Sequence, residues 1–235
     1  MRTKTLLLSA AAIVAGILSS QAQSNVFSAN VVGYVSVVFP GNGQYQLCAN
    51  PFDDGNGNYV TNVLGNSLPK QSQVLVWNGT GYNIITRGGT PAAWPVGTTQ
   101  QIPPGVGFFV KNGFAGSPPI TNVFVGSIVV PNGGSVTNQI PVGYTLLGSP
   151  IPYAGNVAIA GQSGGDTNLD FGDAVGKQSQ ILVWDSASQG YATIATKGGT
   201  PPTWLTSASI TPGQGFFILN KLGPATNVVQ NLNLQ

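Results

Sequence analysis

The side chains that could do chemistry in this sequence are its aspartates, because the chain contains neither histidine nor glutamate. Five of the six aspartates fall in two loops rich in Gly and Asn. Side-chain oxygens recur there at close to alternate positions, in Asp54 and Asn56 of the first loop and in Asp166, Asn168, Asp170 and Asp173 of the second. Such spacing suits Ca²⁺, but Asp, Asn and Gly are also the residues that ordinary turns favour. The sequence therefore supports two interpretations, a structural calcium ion or polar turns, and predicts no other cofactor.

The same residue types restrict catalysis. Ser-His-Asp, Cys-His and His-ligated metal sites all require the missing histidine. An Asp-based hydrolase is the enzyme class that survives, with Asp170 and Asp173 as its candidate residues. An aspartic dyad is expected to show Asp-Thr/Ser-Gly, whereas Asp166 is followed by Thr-Asn and Asp185 by Ser-Ala. We therefore expect that the protein is not an enzyme.

Aromatic side chains offer a second chemistry, because a loop Trp can stack on a sugar ring while Asn, Gln and Thr bond its hydroxyls. Trp94 and Trp204 lie in the Pro-rich stretches GGTPAAWP and GGTPPTWL. The alternative is that each Trp covers the end of a β-sandwich. Trp77 and Trp184 end apolar runs and are predicted to lie in the core. The candidate ligand-binding residues are Trp94, Trp204, Tyr82 and Tyr191.

Three further patterns concern packing. Cys48 is the only cysteine, lies in an apolar run and is predicted to be buried. Neighbouring residues of a strand face opposite sides of a sheet. One phenylalanine of each pair, Phe108–Phe109 and Phe216–Phe217, must therefore meet solvent, the other repeat or a partner. The recurring cations are predicted to be exposed charges that discourage edge pairing; they are Lys70, Lys177, Arg87 and Lys197.

These candidates lie on an internal repeat. Four sequence blocks recur in the same order: YQLCANP as YTLLGSP, KQSQVLVW as KQSQILVW, GYNIITRGGTPAAW as GYATIATKGGTPPTW, and PGVGFFVKN as PGQGFFILN. Four blocks in one order indicate a duplicated structural unit. We predict a boundary near residue 122, which gives one β unit at residues 23–122 and a second at residues 123–235.

Short β-branched and aromatic runs alternate with turn sequences inside each unit. With 33 glycines and 17 prolines the chain turns often. In the first unit the runs predict strands at Val32–Phe39, Tyr45–Ala49, Gln73–Trp77, Tyr82–Thr86, Gly107–Lys111 and Val123–Val130, with a short helix near Val60–Leu64. The predicted fold is all-β, built as two tandem homologous antiparallel sandwich or barrel units.

The N-terminal residues have the features of a cleavable signal peptide over residues 1–22. Arg2 and Lys4 precede an apolar stretch, and Ser20-Gln21-Ala22 fits the small-x-small cleavage rule. The apolar stretch is too short for a good membrane span. Cleavage would leave six basic against six acidic residues, so the mature chain is close to neutral. We expect export to the periplasm, cell surface or medium, with no nucleic-acid partner and no membrane insertion.

The order of motifs resembles a family of exported bacterial proteins of uncharacterised activity. The resemblance rests on NVVGYV at residues 30–35, YQLCANPFDD at 45–54, VLVW at 74–77, Trp94 and PGVGFFV at 104–110, each with its partner in the second unit. It covers nearly the whole mature chain and implies the two-repeat β architecture. Because that family has no assigned activity, the resemblance implies nothing about a ligand.

The leading functional hypothesis is a secreted, non-enzymatic binding or structural protein of the cell exterior. Its partner would be a surface or matrix protein. The alternative is a carbohydrate-binding module that holds a polysaccharide through Trp94 and Trp204, and the Asp-based hydrolase comes third. The sequence leaves the ligand and the oligomeric state open.

Overall fold

Short alternating runs form almost all of the regular structure in this computed structural model, which describes residues 32–129, 134–166 and 173–231. The strands are β1 Val32–Phe39, β2 Tyr45–Ala49, β3 Gln73–Trp77, β4 Tyr82–Thr86, β5 Gly107–Lys111, β6 Ile120–Ser127, β7 Ser135–Ile140, β8 Gly143–Gly148, β9 Gly155–Ala158, β10 Gln180–Asp185, β11 Gly190–Gly198, β12 Thr203–Trp204, β13 Ala208–Ile210, β14 Gly215–Asn220 and β15 Thr226–Asn231. One four-residue helix, α1 at Val60–Val63, lies among the described residues. The all-β prediction is therefore confirmed.

Two larger antiparallel sheets organise the molecule. The first has the strand order β2-β5-β3-β4 and the second the order β12-β11-β10-β14-β8. The four repeated sequence blocks supply corresponding strands, so β2, β3, β4 and β5 match β8, β10, β11 and β14. We call residues 32–129 the first half and residues 134–231 the second half.

Two-stranded ribbons accompany the sheets. β1 pairs with β6 along its whole length, from Val32 opposite Ser127 to Phe39 opposite Ile120. β7 pairs with β15 in the same way, from Ser135 opposite Asn231 to Ile140 opposite Thr226. The predicted boundary between residues 122 and 123 falls inside β6, three residues after the strand begins.

Each half has its own hydrophobic core. Strand alternation turns Val74 and Val76 of β3 inward in the first half, where they pack with Phe108 and Phe124. In the second half Ile181 and Val183 of β10 occupy the corresponding places and pack with Phe216. Burying such large side chains contributes about 1.5–3 kcal/mol each. The sandwich-like arrangement follows, since each sheet hides one face under its own ribbon and loops.

The other sheet face is buried too, because the two halves pack against one another. Leu47 and Phe109 from the first half and Leu146 and Phe217 from the second form a third buried cluster. Contacts group all described residues from Val32 onward into one compact unit. This is where the second phenylalanine of each Phe-Phe pair points: Phe108 and Phe216 face their own cores, whereas Phe109 and Phe217 face the opposite half.

Glycine lets the two backbones approach at this junction. A Cβ on Gly107 would lie 2.7 Å from the carbonyl oxygen of Leu147, and a Cβ on Gly215 would lie 2.6 Å from that of Cys48. The N–H of Ala49 donates to the carbonyl of Gly213 at 2.9 Å, and that of Gly148 donates to Gly105 at 3.0 Å. The repeated P-G-x-G-F-F sequence therefore joins the halves through matched contacts.

Candidate functional site

Aromatic rings cross the junction in reciprocal pairs. Trp77 of the first half packs edge-to-face on Phe217 of the second, with ring centroids 5.5 Å apart. Trp184 of the second half packs in the same manner on Phe109 of the first, at 5.1 Å. Edge-to-face contacts of this kind contribute about 0.5–1.5 kcal/mol beyond the area they bury. Both tryptophans are half-buried, as members of the junction rather than of either core.

Each junction tryptophan also has a fixed hydrogen bond. The indole Nε1–H of Trp77 donates to the carbonyl oxygen of Tyr144 at 3.0 Å. The indole of Trp184 donates to the carbonyl oxygen of Tyr45 at 3.2 Å. Tyr45 and Tyr144 occupy the same position in the repeat, so the two bonds are equivalent. Ring packing and hydrogen bonding together hold the tryptophans in one orientation.

One side of the junction opens to solvent as a groove of ≈ 250 Å³. We call it the tyrosine groove, and its lining residues are Trp77, Tyr82, Tyr144, Leu182, Tyr191 and Phe217. Tyr144 is 43% exposed and Tyr191 is 36% exposed, although both rings pack against Phe217. None of the lining residues carries a formal charge. The groove offers aromatic faces and phenol hydroxyls for recognition.

The two sides of the junction differ because of one turn. The turn after Trp184, DSASQG, is two residues longer than the NGTG turn after Trp77. Gln189 in the longer turn accepts a hydrogen bond from the N–H of Tyr45 at 2.7 Å and donates to its carbonyl at 3.0 Å. Tyr45 is half-buried, whereas its counterpart Tyr144 is exposed. Tyr144 is therefore left uncovered on the side where the shorter turn lies.

Burial changes the acidity of the groove phenols. Desolvation raises the pKa of Tyr191 to about 12, and the neighbouring Tyr82 and Tyr144 add to the shift. Desolvation also raises the pKa of Tyr82. The hydroxyls of Tyr82 and Tyr191 are therefore neutral at physiological pH, able both to donate and to accept hydrogen bonds.

The predicted sugar-stacking tryptophans lie elsewhere and are buried. Trp204 is fully buried and Trp94 is 8% exposed. The Nε1–H of Trp94 donates to the carbonyl of Gly65 at 2.7 Å, which ties its loop to the core. The other interpretation of these residues, a Trp that covers the end of a sandwich, agrees with this burial. Neither ring presents a face to solvent on which a sugar could stack.

Two of the four repeated cations are exposed, as the sequence predicts, and two are buried. Lys70 and Lys177 are exposed, as expected. Arg87 and Lys197 are buried, at 5% and 4% exposure, so the prediction of exposed charge is wrong for them. Each lies near a Trp ring, with Arg87 6.0 Å from the Trp94 centroid and Lys197 5.8 Å from that of Trp204. These cations stabilise the tryptophan loops.

Peptide carbonyls complete the environment of the buried cations. The Arg87 guanidinium donates to the carbonyls of Asn66, Leu68 and Ala92. The Lys197 ammonium donates to the carbonyl of Val175 at 2.9 Å. Carbonyl oxygens offset part of the cost of removing each charge from water.

Asp54 and Asn56 belong to a turn whose amides are bonded by its own carboxylates. One oxygen of Asp54 accepts hydrogen bonds from the N–H groups of Asn56 and Asn58, both at 2.8 Å. Asp53 accepts from the N–H of Gly55 and the side chain of Asn58. These are the bonds of Asx-type turns, in which carboxylates replace missing backbone partners. The geometry agrees with the polar-turn interpretation of this loop.

The second loop is described in part. Asp166 accepts hydrogen bonds from the Tyr153 hydroxyl at 2.8 Å and from the N–H of Asn156 at 2.7 Å. Asp173 is exposed and its carboxylate lies beside Gly164. Asn168 and Asp170 lie outside the described residues, as does the predicted signal peptide. Within the described ranges no group of three or more Asp, Glu, His or Cys side chains is placed to hold a metal ion.

Cys48 is fully buried, and burial raises the pKa of its thiol well above the usual value. The thiol donates weakly to the carbonyl of Phe108 at 3.5 Å. A protonated, buried thiol is a poor nucleophile. Cys48 therefore acts as a small core residue, as the sequence predicts.

Of the four predicted ligand residues, the structure brings Tyr82 and Tyr191 together and leaves Trp94 and Trp204 in separate buried positions. Sequence reasoning missed Tyr144, and it assigned Trp77 to a core. The available clue was the repeated Gly-Phe-Phe strand, whose second Phe must have a partner outside its own core.

Among residues 32–129, 134–166 and 173–231, no helix has the length and apolar character needed to cross a membrane. Comparison of the chain with protein-family models, with curated proteins and with solved structures finds no match. The family suggested by the motif order therefore stays a prediction.

Proposed function

We propose that this chain is an exported, non-enzymatic binding protein whose ligand contacts the tyrosine groove. The observation that supports the proposal is the uncharged aromatic surface at the junction of the halves, formed by the half-buried Tyr82 with the exposed Tyr144 and Tyr191. Binding sites are typically concave and aromatic, with a few polar groups that fix orientation.

The groove is preorganised for binding. Tyr82 and Tyr191 each pack edge-to-face on the tryptophan of their own half, at 5.1 and 5.3 Å between centroids. Tyr144 packs on Phe217 in the same way, at 6.1 Å. Rings held in this manner lose little conformational freedom when a ligand arrives, which reduces the cost of binding.

A neutral carbohydrate is the ligand class that we propose for the groove. Its volume of ≈ 250 Å³ lies below the range of about 300–1,000 Å³ for pockets that enclose a whole small molecule. It therefore suits one ring of a longer chain. Aromatic faces would stack on the C–H surface of a sugar, and the neutral phenols would bond its hydroxyls without needing a charged group.

The test is a binding measurement on residues 23–235 with a glycan array and insoluble neutral polysaccharides, with and without Ca²⁺. Specific binding that Tyr144→Ala and Tyr191→Ala each abolish would support the proposal. The matched control is Tyr34→Ala, because Tyr34 is 77% exposed but lies on β1 outside the groove.

Two results would contradict the carbohydrate proposal. One is a folded protein that binds no glycan, which would favour a surface or matrix protein as the ligand. The other is glycan binding that survives both groove substitutions, which would place the site elsewhere on the chain.

A further inference from the structure

The outer edge of the first sheet differs from that of the second. β4 is the last strand of the first sheet and, among the described strands, pairs only with β3. The corresponding β11 pairs on its outer side with β12, with Lys197 opposite Trp204 and Gly198 opposite Thr203. In the first half Gly88 and Ala93, the counterparts of Gly198 and Thr203, bond each other in the same way. The two edges therefore differ beyond this shared contact, along the residues that precede it in β4 and β11.

Strand alternation shows which amides face this edge. The N–H of Arg87 donates to the carbonyl of Ser72, and the carbonyl of Arg87 accepts from the N–H of Gln71, so Arg87 bonds inward. In an antiparallel pair successive residues bond to opposite sides. The backbone N–H and carbonyl groups of Thr86 and Ile84 consequently point outward.

In the second half the chain itself covers the corresponding groups. The N–H of Leu205 donates to the carbonyl of Thr196 at 2.9 Å, and the Thr206 hydroxyl donates to the carbonyl of Ile194 at 3.5 Å. Thr196 and Ile194 are the repeat counterparts of Thr86 and Ile84. Leu205 and Thr206, which form a bend directly after the buried tryptophan, thus bond the sheet edge.

The first half cannot make the same contact because Pro95 takes the place of Leu205. Proline has no N–H to donate. The chain instead turns away, with the N–H of Thr98 donating to the carbonyl of Pro95 at 3.2 Å. Ten residues separate Trp94 from Gly105, against eight between Trp204 and Gly213, so the segment here is also longer.

The result is an open cleft of ≈ 650 Å³ between β4 and residues 95–103. Its β4 wall is formed by Ile84, Ile85 and Thr86, and Ile84 is 57% exposed. Thr, Gln, Val and Pro line the opposite wall, and no lining residue is charged. Edge strands are usually protected by charge, proline or a covering segment. β4 contains neither a charged residue nor proline, and a side-chain bond crosses the cleft from Asn83 Nδ2 to Gln100 Oε1 at 3.4 Å.

We propose that β4 is a β-augmentation site, at which an extended, uncharged segment of a partner polypeptide adds as the next strand of the first sheet. Its backbone would bond the outward amides of Ile84 and Thr86, as Leu205 bonds Thr196. A single strand fits better than the edge of a second copy, because a second copy would bring its own 95–103 segment into the cleft. The site is separate from the tyrosine groove and does not depend on a carbohydrate ligand.

The test uses a capped peptide with the sequence of residues 205–210, the segment that follows Trp204 in the second half. NMR titration of residues 23–235 should shift the amide signals of Ile84 and Thr86, and their hydrogen exchange should slow as the peptide saturates. A peptide with alternate N-methylated amides should have no effect, because it cannot add to a strand edge. The proposal would be overturned if the amide signals of Ile84 and Thr86 do not shift up to the solubility limit of the peptide, or if other residues alone shift.

A variant that closes the cleft provides the control. Pro95→Leu with deletion of Val96 and Gly97 copies the length and the N–H donor of the second half. It is expected to fold and to lose peptide binding. Thr86→Pro removes one outward N–H and should weaken binding while keeping the backbone bonds to β3, although it loses the side-chain bond from Gln73 Nε2 to the Thr86 hydroxyl. Unchanged binding in the folded closing variant would contradict the proposal. A chain that dimerises through β4, and ceases to do so in the closing variant, would also contradict it, because the occupant would then be a second copy.

Discussion

At the scale of single residues, the aspartates of the described loops serve local structure. Asp166 shows how: the N–H of Asn156 and the hydroxyl of Tyr153 both donate to its carboxylate. The backbone bond from Asn156, followed by the side-chain bond from Tyr153, holds the pKa of Asp166 below its usual value. Burial, with the bond to Asp166, raises the pKa of Tyr153 to about 12. The pair therefore stabilises the ionised carboxylate beside a neutral phenol.

The first prediction concerns the pH dependence of this contact. A carboxylate whose pKa is lowered on folding stabilises the fold above its unfolded value of 3.8, and that stabilisation is lost as the pH falls through the folded value. Asp166→Asn keeps an oxygen acceptor but removes the charge. We expect it to lower the free energy of unfolding by about 1 kcal/mol near neutral pH. This is less than the about 1.5–3 kcal/mol usual for a hydrogen bond to a charged group, because solvent screens a half-buried site.

Urea denaturation at a series of pH values checks this prediction. The difference between Asp166→Asn and the unmodified protein should shrink in acid and disappear below the folded pKa. Tyr153→Phe removes one of the donors to Asp166, and the two from Asn156 remain, so it should show a smaller loss at neutral pH. A difference that is constant from neutral pH into acid would contradict the assigned cause.

At the scale of the elements, the junction depends on two glycines at the start of β5 and β14. Gly107 and Gly215 each lie so close to the opposite half that a methyl group would contact a backbone carbonyl at under 3 Å. Backbone atoms of a paired strand cannot move aside as a flexible side chain can. The close approach also positions Phe109 and Phe217, each of which lies two residues after the glycine of its own strand.

The second prediction is that Gly107→Ala and Gly215→Ala destabilise the protein by about 1–3 kcal/mol each, the usual cost of overpacking. Gly81→Ala is the control, because a Cβ there meets no atom within 4 Å. Thermal unfolding followed by circular dichroism provides the measurement. Equal melting temperatures for the Gly81 and Gly107 variants would show that the halves can separate at this point without cost.

The sequence predicts an element well when nearby residues determine it, and poorly when contacts between distant parts of the chain determine it. β1 to β5 begin and end at the predicted residues, because alternation and turn chemistry act over a few positions. β6 instead covers Ile120–Ser127, three residues earlier than predicted, since pairing with β1 fixes its ends. The Pro-rich sequence around Trp94 and Trp204 allows either an exposed or a buried ring. Their burial depends on Arg87, Lys197 and loop carbonyls, which come together only in the folded chain.

The candidate site was less predictable than the fold for the same reason. Tyr82 and Tyr191 lie far apart in the sequence and meet only because the halves pack face to face. The alternation of Phe108 and Phe109 did predict that one ring must find a partner outside its own core. It left open whether that partner is solvent, the other half or another molecule, and the cluster around Phe109 and Phe217 answers the question.

At the scale of the whole molecule, the shared cluster couples the two halves. Leu47, Phe109, Leu146 and Phe217 are all buried between them. Disrupting either half exposes apolar surface belonging to the other, so neither half is expected to unfold by itself.

The third prediction follows: the protein should unfold in one cooperative transition, with equal calorimetric and van't Hoff enthalpies. Phe217→Ala should lower the stability of the whole chain by about 3–5 kcal/mol, as is usual for a buried ring. Phe114→Ala serves as the control, because Phe114 is 51% exposed. Two resolved transitions in differential scanning calorimetry would contradict the coupling.

The reciprocal pairing of Trp77 with Phe217 and of Trp184 with Phe109 has a consequence for shorter versions of this chain. A contact in which each side supplies the same tryptophan and the same phenylalanine is isologous, the arrangement found in twofold-symmetric homodimers. A polypeptide of either half alone would carry both members of the pair. It is therefore expected to associate with itself, so that Trp77 of one copy packs on Phe109 of the other. The full-length protein holds both copies of this contact within one polypeptide.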